Sequence, residues 1–342
     1  MISWGRLTLF VPFLAIVVAL LWWRGPDWEL VVDAFTVVSW WWIVAAIALN
    51  LLSVLARALA WRAVIAQALP EEPRFARVFS SFAVGLLANA VLPARAGELA
   101  RVAVLTRRLP RGRGYTATLF GTVFAHRLFD VIPAVLLVVY VVFTAKIPHW
   151  ALTSLLIAAG VGVVLLAGAI IGSRLRRPVL EGLGPVRRLL AMARVGLDVL
   201  RSPLAAAVAI LFQCVGWLCQ LLAVWIAMRA FEIEAPLPAA ALVLVLMNVA
   251  TIFPLWPGNI GLLQAAVALP LVSYGVAYTT GFAYGLGLQM LEMSVGVGVG
   301  LLFLAREGIS FATLKRMPEE AQVTEERPVV REAEPARARR AV

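Results

Sequence analysis

The chain is poor in charge, in cysteine and in lysine, and each shortage removes a class of explanation. Only 14% of its 342 residues are charged against 62% apolar, a balance that no water-soluble fold tolerates. The two cysteines, Cys214 and Cys219, share one apolar segment at a spacing that sets them on different helix faces. That arrangement supports neither a disulfide framework nor a zinc site, and both read as packing residues. Lys146 and Lys315 are the only lysines among 30 basic residues, so abundant arginine reflects composition before it reflects function. The net charge of +11 is no nucleic-acid footprint either, because the arginines fall between apolar segments instead of gathering on a soluble face. No metal or nucleophile motif stands out, and no cofactor is expected.

What the chain has is long apolar runs. Crossing hydrocarbon as helix takes roughly 20 residues, and six segments reach it: Leu7 to Trp23, Trp40 to Ile65, Tyr115 to Thr144, Trp150 to Gly172, Leu204 to Phe231 and Thr280 to Leu304. No small-residue cleavage site follows Trp22, Trp23 and Arg24, so the first reads as a retained anchor. Basic loops mark the cytoplasmic side. They lie around Arg74 and Arg77, at Arg107, Arg108, Arg111 and Arg113, from Arg174 to Arg201, and at Arg306, Lys315 and Arg316. The acidic loop with Asp27, Glu29 and Asp33, and the short one with Glu232 and Glu234, then lie outside, and both termini are cytoplasmic.

A full crossing between Val78 and Leu105 would carry the Arg107 to Arg113 run to the wrong side. The limb Val78 to Leu92 has only 15 residues, about 22 Å of helix, and Leu99 to Leu105 is shorter still. We therefore expect a re-entrant hairpin over 78–105 with PARAGELAR at its buried turn. A second short pair, Ala239 to Phe253 and Ile260 to Ser273, is joined by PLWPGN, and length favours a hairpin over 239–273 as well. Pro93, Gly97 and Leu99 recur as Pro257, Gly261 and Leu263. Two such elements opening from opposite faces form an inverted repeat, a plan that places binding near the midplane. The expected fold class is all-α and polytopic, with six full transmembrane helices plus two re-entrant helical hairpins arranged as an inverted repeat. A membrane domain over 1–305 is followed by a tail over 306–342, rich in Glu, Pro and Arg, that reads as disordered and too short for a catalytic domain.

Ionisable groups inside hydrocarbon are costly unless paired or hydrated, which makes each one a candidate site. Arg95, Glu98 and Arg101 ride the first hairpin, where Pro93 and Gly97 suit a chain that breaks and restarts as a helix. Such a helix start attracts phosphate. His126, Arg127 and Asp130 fall 11 to 15 residues into the span from Tyr115, near mid-membrane, and Arg127 and Asp130 share a face. Glu292 lies near the centre of the last span with Gln289 one turn back; Asn248, Asn259 and Gln264 place amides on the second hairpin. The plain alternative is interhelical glue, with these groups satisfying one another and His126 an interior histidine. Convergence at one depth points to a polar cavity. Residues 186–201 alternate leucines with Arg187, Arg188, Arg194 and Arg201 at helical spacing and read as a helix on the cytoplasmic surface, drawn to anionic lipid.

Pro93, Arg95, Gly97, Glu98 and Arg101, then Arg127 and Asp130, then the Pro257 to Gly261 turn, resemble the lysylphosphatidylglycerol synthase transmembrane-domain family of flippase-like membrane proteins. His126 stands where that family has an acid before Arg127, and Gln264 where it commonly has a Glu. The family's bifunctional members join this domain to a soluble synthase that aminoacylates phosphatidylglycerol. No such part is present in this sequence, so the resemblance implies lipid translocation, or a lipid-linked glycan role, rather than aminoacyl transfer.

The expected activity is flipping of an anionic phospholipid or lipid-linked intermediate across the cell membrane. Its expected site comprises Arg95, Gly97, Glu98, Arg101, Arg127, Asp130, Asn259, Gly261, Gln264 and Glu292. Two other readings stay open: a membrane-embedded transferase using His126 and Asp130 as acid and base, and a noncatalytic partner of a lipid- or glycan-modifying enzyme.

Overall fold

A computed structural model describes residues 27–92, 97–109, 115–174, 202–252, 259–310 and 313. The expected first span, Pro93 and Arg95, Arg111 and Arg113, the surface helix at 186–201, Pro257 and nearly all of the tail lie outside these residues. The described chain is helical throughout: α1 (Trp28–Thr36), α2 (Trp40–Ala68), α3 (Phe75–Val91), α4 (Gly97–Arg108), α5 (Thr116–Thr144), α6 (His149–Arg174), α7 (Pro203–Ala230), α8 (Leu237–Ile252), α9 (Leu262–Val272) and α10 (Tyr278–Arg306). Five helices are long and apolar enough to cross a bilayer, within α2, α5, α6, α7 and α10. They coincide with five of the six segments read from hydropathy.

The segment read as an acidic loop is instead the short helix α1. Asp27 caps it, its Oδ1 accepting from the backbone N–H of Glu29 at 3.1 Å and of Leu30 at 3.5 Å, and Glu29 sits in the positively polarised first turn. The acids thus have a local structural cause as well as a topological one. Helix α1 packs its apolar face on the bundle, with Trp28 edge-on to Phe282 and Phe35 edge-on to Phe231.

The long helices pack at small residues. The most extensive contact is α2 on α7, where Gly216 admits the Arg57 side chain and the Ser53 carbonyl so closely that a Cβ would stand 3.0 Å from Arg57 Cγ. Helix α3 packs on α4 and on α10, with Gly300 set against Leu87 and the Ala83 carbonyl. Helix α8 packs on α9, and α9 on α10. One large apolar core joins α7, α8, α9 and α10; a second joins α2, α3, α4 and α5 around Trp61, Phe82 and Leu105.

Each short pair is locked at its turn by amide side chains. In the first, Asn89 Oδ1 accepts from the Gly97 backbone N–H at 2.9 Å, and Gly97 lies flush on the Gly85 carbonyl, where no side chain fits. In the second, Gly261 takes φ +92°, and its N–H donates to Gln264 Oε1 at 2.6 Å. Asn259 reaches back to the Ala250 carbonyl at 3.1 Å. The two glycines matched in the sequence therefore start the return helix in both pairs. Past α10 the fold continues: Glu307 accepts from Ser80 Oγ at 2.6 Å and Arg108 Nε at 2.7 Å, and Ile309 joins an apolar cluster with Leu304 and Val104.

Candidate functional site

Helices α2, α4, α5, α7 and α10 carry the polar interior, and its centre is the contact of α4 with α5. Glu98 and Arg101, one turn apart on α4, form an ion pair, and Glu98 is also paired with Arg127 of α5. Arg127 in turn reaches Asp130 Oδ2 at 3.3 Å. The alternation of sign along Arg101, Glu98, Arg127 and Asp130 lets each charge neutralise its neighbour, the condition for holding ions in a low-dielectric interior.

The surroundings fix these groups. Arg101 is 3% exposed, and its guanidinium carbon lies 4.7 Å from the Trp61 ring centre and 5.5 Å from that of Phe82. Trp61 is itself oriented by its N–H to Thr122 Oγ1 at 3.1 Å. Asp130 Oδ1 accepts from Gln213 Nε2 at 2.7 Å and Trp217 Nε1 at 3.0 Å, both on α7. Arg127 differs from the rest: half of its side-chain surface is exposed. A small cleft, open to the outside, is lined by Phe82, Gly85, Asn89, Glu98, Arg101 and Arg127 among others.

The structure thus brings Gly97, Glu98, Arg101, Arg127 and Asp130 into one place. Glu292 joins by a longer route. Its Oε1 accepts from Gln220 Nε2 at 3.2 Å, and Gln220 Oε1 accepts from Arg57 Nη2. Asn259, Gly261 and Gln264 gather on the second pair, where Gln264 donates to Gln289 Oε1 at 2.6 Å. Arg95 lies outside the described residues. His126 is 1% exposed, with Nε2 3.0 Å from the Arg57 carbonyl, so its ring faces the α2 backbone and not the cleft.

Arg57, Gln213, Trp217 and Gln220 are polar members of this interior that hydropathy reading passed over. The signal for Arg57 was available: it stands 17 residues beyond Trp40, about 26 Å along the helix. The amides and indole of α7 carry no charge and vanish into an apolar average.

A polytopic helical bundle with this pairing of α4 and α5 agrees with the family that the motif residues suggested. The family described as lysylphosphatidylglycerol synthase TM region matches residues 9–300. The chain belongs to that family. Membership of the lysylphosphatidylglycerol synthase TM-region family, together with five bilayer-length helices, makes it a multi-pass membrane protein and places it in membrane lipid metabolism or translocation. No curated protein and no solved structure matches the chain.

Proposed function

We propose that this protein translocates an anionic phospholipid or lipid-linked intermediate across the cell membrane. The observation that carries this reading is Arg127, whose side chain is half exposed and lines, with Arg101, a cleft inside an apolar bundle. A fixed cation reachable from outside the protein at that depth suits a phosphate that travels with its acyl chains left in lipid. Glu98 and Asp130 hold the two arginines in place and keep the empty site neutral.

In this reading the two short pairs enter the membrane from opposite faces as an inverted repeat, and both termini lie in the cytoplasm. The matched glycines at the start of each return helix support it, as do pair lengths too short to span. The transferase reading gains less support, because it needs His126 at the substrate and the His126 ring is enclosed.

Reconstitution tests the proposal. Proteoliposomes carrying fluorescent phosphatidylglycerol in both leaflets, quenched from outside, report exchange between leaflets. The wild type is expected to speed exchange, and Arg127→Gln to lower the rate by about tenfold, the loss of one charge-assisted contact. Equal rates for wild type, Arg127→Gln and empty vesicles across anionic lipids reject the reading.

A further inference from the structure

Three arginines stand in the polar interior, and they are not equivalent. Arg101 and Arg127 are ion-paired to Glu98, and Arg127 also to Asp130. Arg57 makes no ion pair among the described residues. Its Nη2 donates to the neutral amide of Gln220, its guanidinium carbon lies 5.5 Å from the Trp217 ring centre, and its Nε is enclosed with no hydrogen-bond partner. A cation so placed, bound directly by no carboxylate among the described residues, has the most to gain from an incoming anion.

The count of charges supplies the second half of the argument. Arg57, Arg101 and Arg127 stand among Glu98, Asp130 and Glu292, three against three, so the described cluster is neutral with every group ionised. Adding an anion leaves it negative in a low-dielectric interior unless one carboxylate takes a proton. Glu98 and Asp130 are each bound directly by an arginine guanidinium. Glu292 is different, since its hydrogen bond comes from the amide N–H of Gln220, which a carboxylate or the carbonyl oxygen of a protonated acid accepts equally well.

Among the described residues, the charged and titratable groups near Glu292 are few. Arg57 faces it from α2, Gln220 from α7 and Tyr284 from its own helix, the Tyr284 hydroxyl being occupied by the Val224 carbonyl. Helix α9 brings the amide of Gln264, α3 meets α10 at Leu87 and Gly300, and α1 meets it at Trp28 and Phe282.

We propose that Arg57, Gln220 and Glu292 form the coupling element of the site: an anionic headgroup held at Arg57 draws a proton from water onto the Glu292 carboxylate, so anion and proton are taken up together. This rests on the reading of the site as one for an anionic headgroup.

The test uses the full chain in nanodiscs of zwitterionic lipid. Binding of fluorescent phosphatidylglycerol is followed from pH 5 to 9 while a pH indicator in weak buffer counts protons. The wild type is expected to take up about one proton per lipid on the alkaline limb, where affinity falls about tenfold per pH unit. Glu292→Gln is expected to bind at every pH as the wild type does in acid, with no proton uptake, and Arg57→Gln to lose at least about tenfold in affinity at every pH. Binding by the wild type without proton uptake overturns the coupling and leaves the headgroup site standing, a result that needs no variant to fold. An unchanged pH slope in Glu292→Gln, or a slope abolished by His126→Asn instead, also overturns it. Inorganic phosphate competing at concentrations equal to the lipid would keep the coupling and replace the lipid cargo by a free anion. Absence of lipid binding at any pH rejects the headgroup reading and the coupling with it.

Discussion

The two short helix pairs share a plan and differ in chemistry. Both pack a limb of 16 or 17 residues against one of 11 or 12, and both start the return limb at a glycine whose N–H is held by an amide side chain. Beyond that turn the first pair presents Glu98 and Arg101 to the charges of α5, whereas the second presents Gln264 to the amide of Gln289. Charges that neutralise one another across a helix boundary can be rearranged by a charged ligand. Amides that satisfy one another give such a ligand little to act on. On the proposed reading, the first pair thus serves as the site and the second as a support.

The comparison can be broken most sharply at Glu98. Replacing it with Gln leaves Arg101 and Arg127 facing each other with one anion removed, and breaking a buried pair from one side costs about 3 to 5 kcal/mol. Unfolding of purified protein in detergent, followed by loss of helical circular dichroism, is expected to show a loss of that order. A smaller effect comes from geometry. Gly97→Ala forces a Cβ into the Gly85 carbonyl and Asn89, and overpacking of that kind costs about 1 to 3 kcal/mol by the same measurement. If Gly97→Ala were neutral, the tight turn would not be what positions Glu98. The smallest effect belongs to the second pair: Gln264→Leu removes the acceptor of the Gly261 N–H and the donor to Gln289, worth about 1 to 2 kcal/mol. A loss there as large as at Glu98 would erase the distinction drawn between the pairs.

Much of this was readable from the chain, and the reasons are specific. Hydropathy located five spans because the bilayer asks only for length and apolarity, which are properties of one segment at a time. Glu98, Arg101, Arg127 and Asp130 were conspicuous as charges in apolar surroundings. The return limb of the first pair was read too short, Leu99 to Leu105, because its helix is carried at both ends by polar residues from Gly97 to Arg108. Asp27 and Glu29 were read for topology when they also start a helix. Arg57 sits in a 29-residue apolar helix whose mean hydropathy a single charge hardly lowers. Which groups meet, as when Gln220 links Arg57 to Glu292 across 163 and 72 residues of chain, depends on how helices pack and leaves no local trace.

The Glu307 carboxylate has a mechanical meaning. By accepting from Ser80 on α3 and Arg108 on α4, it fastens both limbs of the first pair to the end of α10, while Gly300 keeps α3 and α10 in close register further along. These three helices therefore make one lever, and α5, with Arg127 and Asp130, stands outside it. The contact of Glu98 with Arg127 is a seam along which that lever meets its neighbour, so any rocking of the one against the other bears directly on that ion pair.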